Sequence, residues 1–300
     1  MTIRRVAFVG IGNMGWPMAA NLLRAGFAVT VTDAAPGRAE HFVSQVGGEA
    51  SDSPATIGAD AIVTILPTSK QVAEIITAIA PDLVAGTLVI DMTSGQPGVT
   101  RALAADLAEQ GVMLVDCPVS GGVSRARTAE LAIMAGGDDA ALDRADPVLR
   151  AMGTTIHRCG PVGAGQAMKA LNNLVSAGGL LIAVEALLIG QRFGLDPALM
   201  VDVLNASTGM SNSTQKKLKP FVLSRQFNAG FGLDLMAKDL SIALEVGREA
   251  GAATPFAALC REMWSAAAAV LGPGQDHTAI ARFSEQLAGA VLGSMEGDAP

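Results

Sequence analysis

A short apolar run, Val6-Ala7-Phe8-Val9, feeds directly into Gly10-Ile11-Gly12-Asn13-Met14-Gly15, and a helical pattern follows. Glycines at this spacing between a strand and a helix leave few folds open. The first makes the tight turn, the second lets backbone approach a pyrophosphate, and the third lets the helix pack on the strand. The N–H groups and positive end of the next helix then face the phosphates. Gly10, Ile11, Gly12, Asn13, Met14 and Gly15 are therefore candidate dinucleotide contacts; a purely structural glycine turn is the alternative. A second β run, Ala28–Asp33, ends in an acid 18 residues after Gly15. A carboxylate there accepts hydrogen bonds from ribose hydroxyls and repels a 2′-phosphate. Ala34 and Ala35 bring no cation, and Arg38 is the nearest one. Asp33 thus points to NAD in preference to NADP, the competing reading being an Asp that caps the turn after it.

The alternation continues. Ala61–Leu66, Leu88–Asp91, Met113–Cys117 and Leu131–Ala135 read as strands, with helical stretches at Met18–Ala25, Ser69–Ala80 and Val99–Gln110 between them. That order predicts a parallel, doubly wound sheet with helices on both faces. Gly26 and Gly111 stand where helix C-caps belong. Pro147 interrupts Ala140–Met152, which predicts a kinked or split helix. After Gly165 the β pattern stops. Ala167–Phe193 reads as one helix closed by Gly194, about 40 Å long at 1.5 Å per residue. Asp196-Pro197 opens another helix. Leu233–Glu249, Pro255–Val270 (capped by Thr254) and Asp276–Leu287 follow, and Gly293–Pro300 reads as a frayed tail. A chain of 300 residues exceeds one comfortable core. The expected division is an α/β dinucleotide-binding domain over 1–163, a long interdomain helix over 164–193 and an all-α domain over 194–300.

Composition removes several classes. A net charge of −7 without a long basic run argues against nucleic acid as a partner. Cys117, Cys159 and Cys260 are odd in number and widely spaced, which suits a reducing, cytoplasmic setting. His41, His157 and His277 show no metal-ligand spacing, so no metal is expected. Arg4-Arg5 precedes an apolar run too short for a secretion signal. Leu174–Gly190 is apolar, yet Glu185 and Gly178-Gly179 favour a buried helix over a membrane span.

Ligands of open α/β sheets bind beyond the carboxyl ends of the strands. Leu66, Pro67 and Thr68 stand at the end of one strand and Ser94 at the end of another, so they are candidates for the nicotinamide side; helix-start chemistry is the alternative for Pro67 and Thr68. In Asp116-Cys117-Pro118-Val119-Ser120-Gly121-Gly122, a hydroxyl and two residues without side chains leave N–H groups open to a small carboxylate. A plain Gly-Gly turn competes with that reading. Lys169 and Asn173 lie one turn apart on one helix face, and a cation near a helix start is poorly placed for the dipole. Lys238 is expected to face the same cleft, against the alternative of a surface pair with Asp239. Hydride transfer from an alcohol to NAD needs a base for the hydroxyl proton. There is no tyrosine, no zinc set and no suggestively placed histidine, which leaves Lys169. A free lysine titrates near about 10.4 and must be lowered to work near neutrality; desolvation, the nicotinamide charge and Lys238 each act in that direction.

Taken together, these motifs resemble the 3-hydroxyisobutyrate dehydrogenase family of short β-hydroxyacid dehydrogenases. The likeness runs from Phe8-Val9-Gly10-Ile11-Gly12-Asn13-Met14-Gly15 through Pro118-Val119-Ser120-Gly121-Gly122 and Gly165-x-x-x-Lys169-x-x-x-Asn173 to Met236-Ala237-Lys238-Asp239. It implies a Rossmann-like domain, a long interdomain helix, and an all-α domain that holds substrate and builds a homodimer or homotetramer. It implies Lys169 as general acid/base. Ser120, Gly121, Gly122 and Asn173 would hold the carboxylate and hydroxyl of a small hydroxyacid or its semialdehyde. Leu66, Pro67, Ser94 and Lys238 would border the cofactor. Two segments depart from the family pattern: Ala129-Glu130 stands where a glycine-threonine pair is common, with Arg125 and Arg127 upstream, and Met210 replaces a polar residue. Hydroxyisobutyrate, tartronate semialdehyde, succinic semialdehyde, threonate and serine-like acids all stay open as substrates. An imine reductase or a non-catalytic NAD(P)-binding relative shares the architecture, but the former usually replaces the lysine and the latter loses it or adds basic segments.

Overall fold

The computed structural model describes residues 2–53 and 58–293; of the tail expected over 293–300, all but Gly293 lies outside them. In chain order the amino-terminal elements are β1 (Arg5–Val9), α1 (Gly15–Arg24), β2 (Ala28–Thr32), α2 (Arg38–Val46), β3 (Glu49–Ala50), β4 (Ala61–Thr64), α3 (Ser69–Ile79), β5 (Leu88–Asp91), α4 (Pro97–Ala108), β6 (Met113–Asp116), β7 (Val119–Ser120), α5 (Gly122–Arg127), β8 (Leu131–Gly136), α6 (Asp139–Arg150) and β9 (Gly153–Gly160). Six strands run parallel in the order β3-β2-β1-β4-β5-β6. Successive strand residues face opposite sides of a sheet, and both sides here are apolar. Val6, Phe8, Val63 and Ile90 join one core with Met18, Leu22 and Phe42. Ala7, Val9, Ile62 and Val89 join another with Ile76 and Leu107. Burial on both faces is what a parallel, doubly wound sheet requires.

The sheet is not parallel throughout. β8 pairs antiparallel with β6 and β7, and β9 then runs parallel to β8. Strand β9 is an edge strand with mostly exposed side chains. Helix α6 runs on through Pro147, where a kinked or split helix was expected; it is not split. The left-handed Gly26 (φ 90°) and Gly111 (φ 69°) follow α1 and α4, as C-terminal glycines do.

The chain divides into two compact units between Lys169 and Ala170. Helix α7 (Ala164–Phe193) begins in the first unit and continues as part of the second. By length and composition it is apolar enough to cross a bilayer, yet 56% of its most apolar window is buried in the fold. The second unit continues with α8 (Pro197–Asn205), α9 (Asn212–Lys216), a π-helical turn at Leu218–Leu223, α10 (Leu233–Glu249), α11 (Pro255–Leu271) and, after one 3₁₀ turn, α12 (Ile280–Ala288). Asp196 caps α8 through the amides of Ala198 and Leu199. Thr254 precedes α11 without the expected side-chain cap. Leu180, Val184, Leu187, Leu240, Trp264 and Ile280 centre this unit's core.

Candidate active site

Register places the candidate residues of the first unit along one edge. Val9 pairs with Thr64, Thr64 with Asp91, and Asp91 with Asp116. The segments after these residues, which carry Gly10–Gly15, Leu66–Thr68, Ser94 and Ser120–Gly122, all leave from the carboxyl edge of the parallel strands. The glycine turn suits a dinucleotide by its shape. Gly10 has φ 93°, and an added Cβ would lie 2.5 Å from the Ile65 carbonyl oxygen. A Cβ on Gly15 would collide with the Gly10 carbonyl, whereas one on Gly12 would meet nothing within 4 Å. The turn is therefore packed where helix meets strand and open where a phosphate approaches. Met14 opens α1 without a side-chain cap, and such a helix start favours an anion.

The Asp33 carboxylate accepts from the Ile11 amide at 2.9 Å, the Ala35 amide at 2.8 Å and the Arg38 guanidinium at 3.1 Å. It ties β2 to the glycine turn as well as capping its own turn. Leu66 donates its amide to Thr93 Oγ1 at 3.0 Å. Thr68 is the N-cap of α3, accepting from the Gln71 amide at 3.3 Å; its hydroxyl serves the helix start. Ser120 closes β7. Gly121 (φ 135°) and Gly122 (φ 68°) are left-handed and exposed, and α5 starts there with no side-chain cap.

Lys169 is only 8% exposed. It lies three residues beyond Gln166, and the turn containing Gln166 is fastened to the sheet edge. Asp116 Oδ1 accepts from the Gly163 amide at 2.6 Å and Oδ2 from the Gln166 amide at 2.8 Å. The Gln166 side chain donates to Asp91 Oδ2 at 3.0 Å. Asp91 Oδ1 in turn accepts from Thr64 Oγ1 at 2.9 Å and the Thr93 amide at 3.0 Å. Burial pushes the Asp91 carboxyl above the ordinary carboxylate range, against the hydrogen bonds from Thr93, Thr64 and Gln166. Burial, reinforced by the neighbouring Asp91 charge, pushes Asp116 up to about 6 in spite of the Gly163 and Gln166 amides.

In the second unit Asn173, one turn after Lys169 along α7, donates to Asp239 Oδ2 at 2.5 Å. Asp239 is 1% exposed and lies 3.4 Å from the Lys238 ammonium through its other oxygen. Among the described residues no group of three or more His, Cys, Asp or Glu side chains is placed to hold a metal ion.

Residues 5–160 match the family model described as the NAD binding domain of 6-phosphogluconate dehydrogenase, and residues 163–284 that described as NAD-binding of NADP-dependent 3-hydroxyisobutyrate dehydrogenase. The 2-(hydroxymethyl)glutarate dehydrogenase of Eubacterium barkeri is 34% identical over 96% of this chain and 97% of its own length. The mitochondrial 3-hydroxyisobutyrate dehydrogenase of Mus musculus is 37% identical over 79% of this chain and 74% of its own. The structure of Mycobacterium tuberculosis 3-hydroxyisobutyrate dehydrogenase with L-serine superposes with a TM-score of 0.87 at 33% identity, covering 95% of this chain and 99% of that one.

The chain belongs to the 3-hydroxyisobutyrate dehydrogenase family. As a member of the 3-hydroxyisobutyrate dehydrogenase family it has a Rossmann-like NAD-binding unit followed by a helical one. Four polar residues bonded to candidate residues or to the segments that carry them escaped sequence reasoning in their roles: Asp91, Asp116 and Gln166 in the first unit and Asp239 in the second. Asp91, Asp116 and Asp239 all sit within motifs noticed for their neighbours. The one available signal was the recurrence of an acid as the last residue of two consecutive apolar strands.

Proposed function

We propose that this enzyme oxidises the primary alcohol of a small acid HO–CH2–CHR–COO⁻ to the semialdehyde, reversibly, with Lys169 as the general acid/base. The molecules in the relatives' names support the class. 3-Hydroxyisobutyrate, 2-(hydroxymethyl)glutarate and L-serine share that skeleton and differ only in R. The observation that carries the assignment of Lys169 is its place on α7: a buried lysine one turn past a segment bonded to the carboxyl edge of a dinucleotide-binding sheet.

NAD, when bound, supplies the hydride acceptor. The chain's own residues do the rest. The Lys169 amine takes the hydroxyl proton as the carbon loses hydride, and its ammonium returns that proton in the reverse direction. Burial keeps this exchange away from bulk water. Asn173, held by Asp239, presents its amide to the substrate hydroxyl or carboxylate. Ser120 and the Gly121 and Gly122 amides bind the carboxylate, with no side chain of their own to block it. Lys238 supplies a further cation for the substrate or the cofactor. Gly10–Gly15 and Asp33 hold the pyrophosphate and ribose, and Leu66, Pro67, Thr68 and Ser94 border the nicotinamide. Asp33 favours NAD over NADP because its carboxylate repels a 2′-phosphate.

The enzyme works as a homodimer or homotetramer. Met168, Val175, Ile182 and Ile189 recur every seventh residue along α7, and all four are exposed; such a seam suits a second helix. Three free cysteines accord with a cytoplasmic setting.

Lys169→Ala tests the core of the proposal. A screen of 3-hydroxyacids with NAD first identifies a substrate. The variant is then expected to lose about 10²–10⁴-fold in kcat, with NAD affinity by tryptophan fluorescence unchanged. Near-normal turnover would remove Lys169 from the mechanism.

A further inference from the structure

Helix α7 begins without a capping side chain of its own. The Gly163 carbonyl accepts the first helical hydrogen bond, from the Ala167 amide at 3.0 Å, so Gly163 is the N-cap. Glycine has no group to satisfy the free amides of the first turn. The missing cap comes from β6, 47 residues earlier in the chain, where Asp116 accepts the Gly163 and Gln166 amides. A carboxylate there also complements the positive end of the helix. The fit is close on all sides. An added Cβ on Gly136 would lie 2.5 Å from Asp116 Oδ1, and one on Gly165 would lie 2.7 Å from the Asp116 carbonyl oxygen and collide with that of Met134. Gln166 then carries the connection sideways to Asp91, itself held by Thr64 and Thr93.

We propose that Asp116, with Asp91 acting through Gln166, is a positioning residue: it clamps the first turn of α7 to the ends of β5 and β6 and so fixes where Lys169 presents its amine. This rests on the assignment of Lys169 as the acid/base. Helix stability alone asks for less. A hydroxyl or amide caps a helix adequately, whereas two adjacent, fully buried carboxylates are costly to desolvate. A carboxylate accepting two amides at once gives the turn one allowed placement, and displacement of a reacting group by about 1 Å costs about 10²-fold in rate.

The clamp also has a pH dependence. Asp116 is faced by Asp91 from β5, by Cys117 on its own strand end and by Cys159 from β9. Above about 6 its carboxylate accepts both amides; below that a proton takes up one oxygen and the clamp loosens.

Asp116→Asn keeps the side chain's size but turns a donor toward one of the two amides. It is expected to keep NAD affinity within about 2-fold, to lower kcat about 10²-fold with little change in KM, and to lose the acid limb near 6 expected of the parent. Hydrogen exchange, read without substrate, is expected to accelerate at residues 163–169 and not in the rest of α7. Parental kcat with the acid limb retained, or a loss confined to KM or NAD affinity, overturns the proposal, as does unchanged exchange at 163–169. Should Asp116→Asn fail to fold, Gln166→Met cuts only the branch to Asp91 and is expected to show the same split between kcat and KM with a smaller fall; parental kcat and exchange there count equally against it. Lys169→Ala separates the two ideas. An active Lys169→Ala variant removes the acid/base assignment itself, while an inactive one beside a fully active Asp116→Asn removes only the clamp.

Discussion

Asp33 receives three donors from three places: the Ile11 amide in the glycine turn, the Ala35 amide in its own turn and the Arg38 guanidinium. An ionised carboxylate has about four acceptor sites, so capping the turn and meeting a ribose hydroxyl are compatible. The side chain is 8% exposed while Arg38 is 45% exposed, which leaves the ion pair a minor contributor to stability and the amide bonds the important ones. Asp33→Ala is expected to lower kcat/KM for NAD about tenfold, the worth of one to two hydrogen bonds, and to raise use of NADP relative to NAD. Steady-state kinetics with both cofactors check it; a parent enzyme that prefers NADP would contradict the role given to Asp33. The position of this acid was legible from spacing alone. Its bond to Ile11 was not, because nothing in a sequence says that a carboxylate will lie against an amide 22 residues earlier.

At the scale of elements, the start of α7 depends on glycine for close approach. Gly165→Ala would drive a methyl group into the Met134 and Asp116 carbonyls, and backbone cannot yield as a flexible side chain does. The expected cost is about 1–3 kcal/mol of stability, read as a lower midpoint in urea, together with reduced kcat as the turn shifts. An unchanged midpoint would mean that the strand ends give way easily. Elements differ in how plainly the sequence announces them. β1, β5 and β6 are short apolar runs bounded by turn residues. β9 carries Thr154, Thr155, His157 and Arg158 on an exposed edge, so it has neither the apolar run nor the clean alternation that marks a strand. The pairing of Asp91, Asp116 and Gln166 spans 50 to 75 residues and belongs to tertiary structure. Pro147 was read as a kink or a split; the helix does not split, because it is held by Leu142, Ala145, Val148 and Leu149, all buried in the sheet's core, and packing overrides the lost backbone bond.

For the whole molecule, the division into a sheet unit and a helical unit was readable because the hydrophobic period changes from two to 3.6 near Gly165. The seam on α7 was hidden within that same apolar pattern. Buried and exposed apolar residues look alike in a sequence, and only the fold shows Val175 at 77% and Ile189 at 72% exposed. Val175→Glu combined with Ile182→Glu is expected to yield monomers in light scattering while leaving the far-ultraviolet spectrum intact; a persistent oligomer of parental mass would place the interface elsewhere. The clamp at the sheet edge has one more consequence, for synthesis. The ribosome releases β5 and β6 well before Gly163 and Gln166, so a nascent chain ending at β9 holds every parallel strand but lacks the three donors that close over Asp91 and Asp116. Until the first turn of α7 emerges, Asp91 keeps its bonds to Thr64 and Thr93, while its other oxygen and both oxygens of Asp116 lack these donors. The sheet unit is therefore complete only once translation has passed its last strand and begun α7.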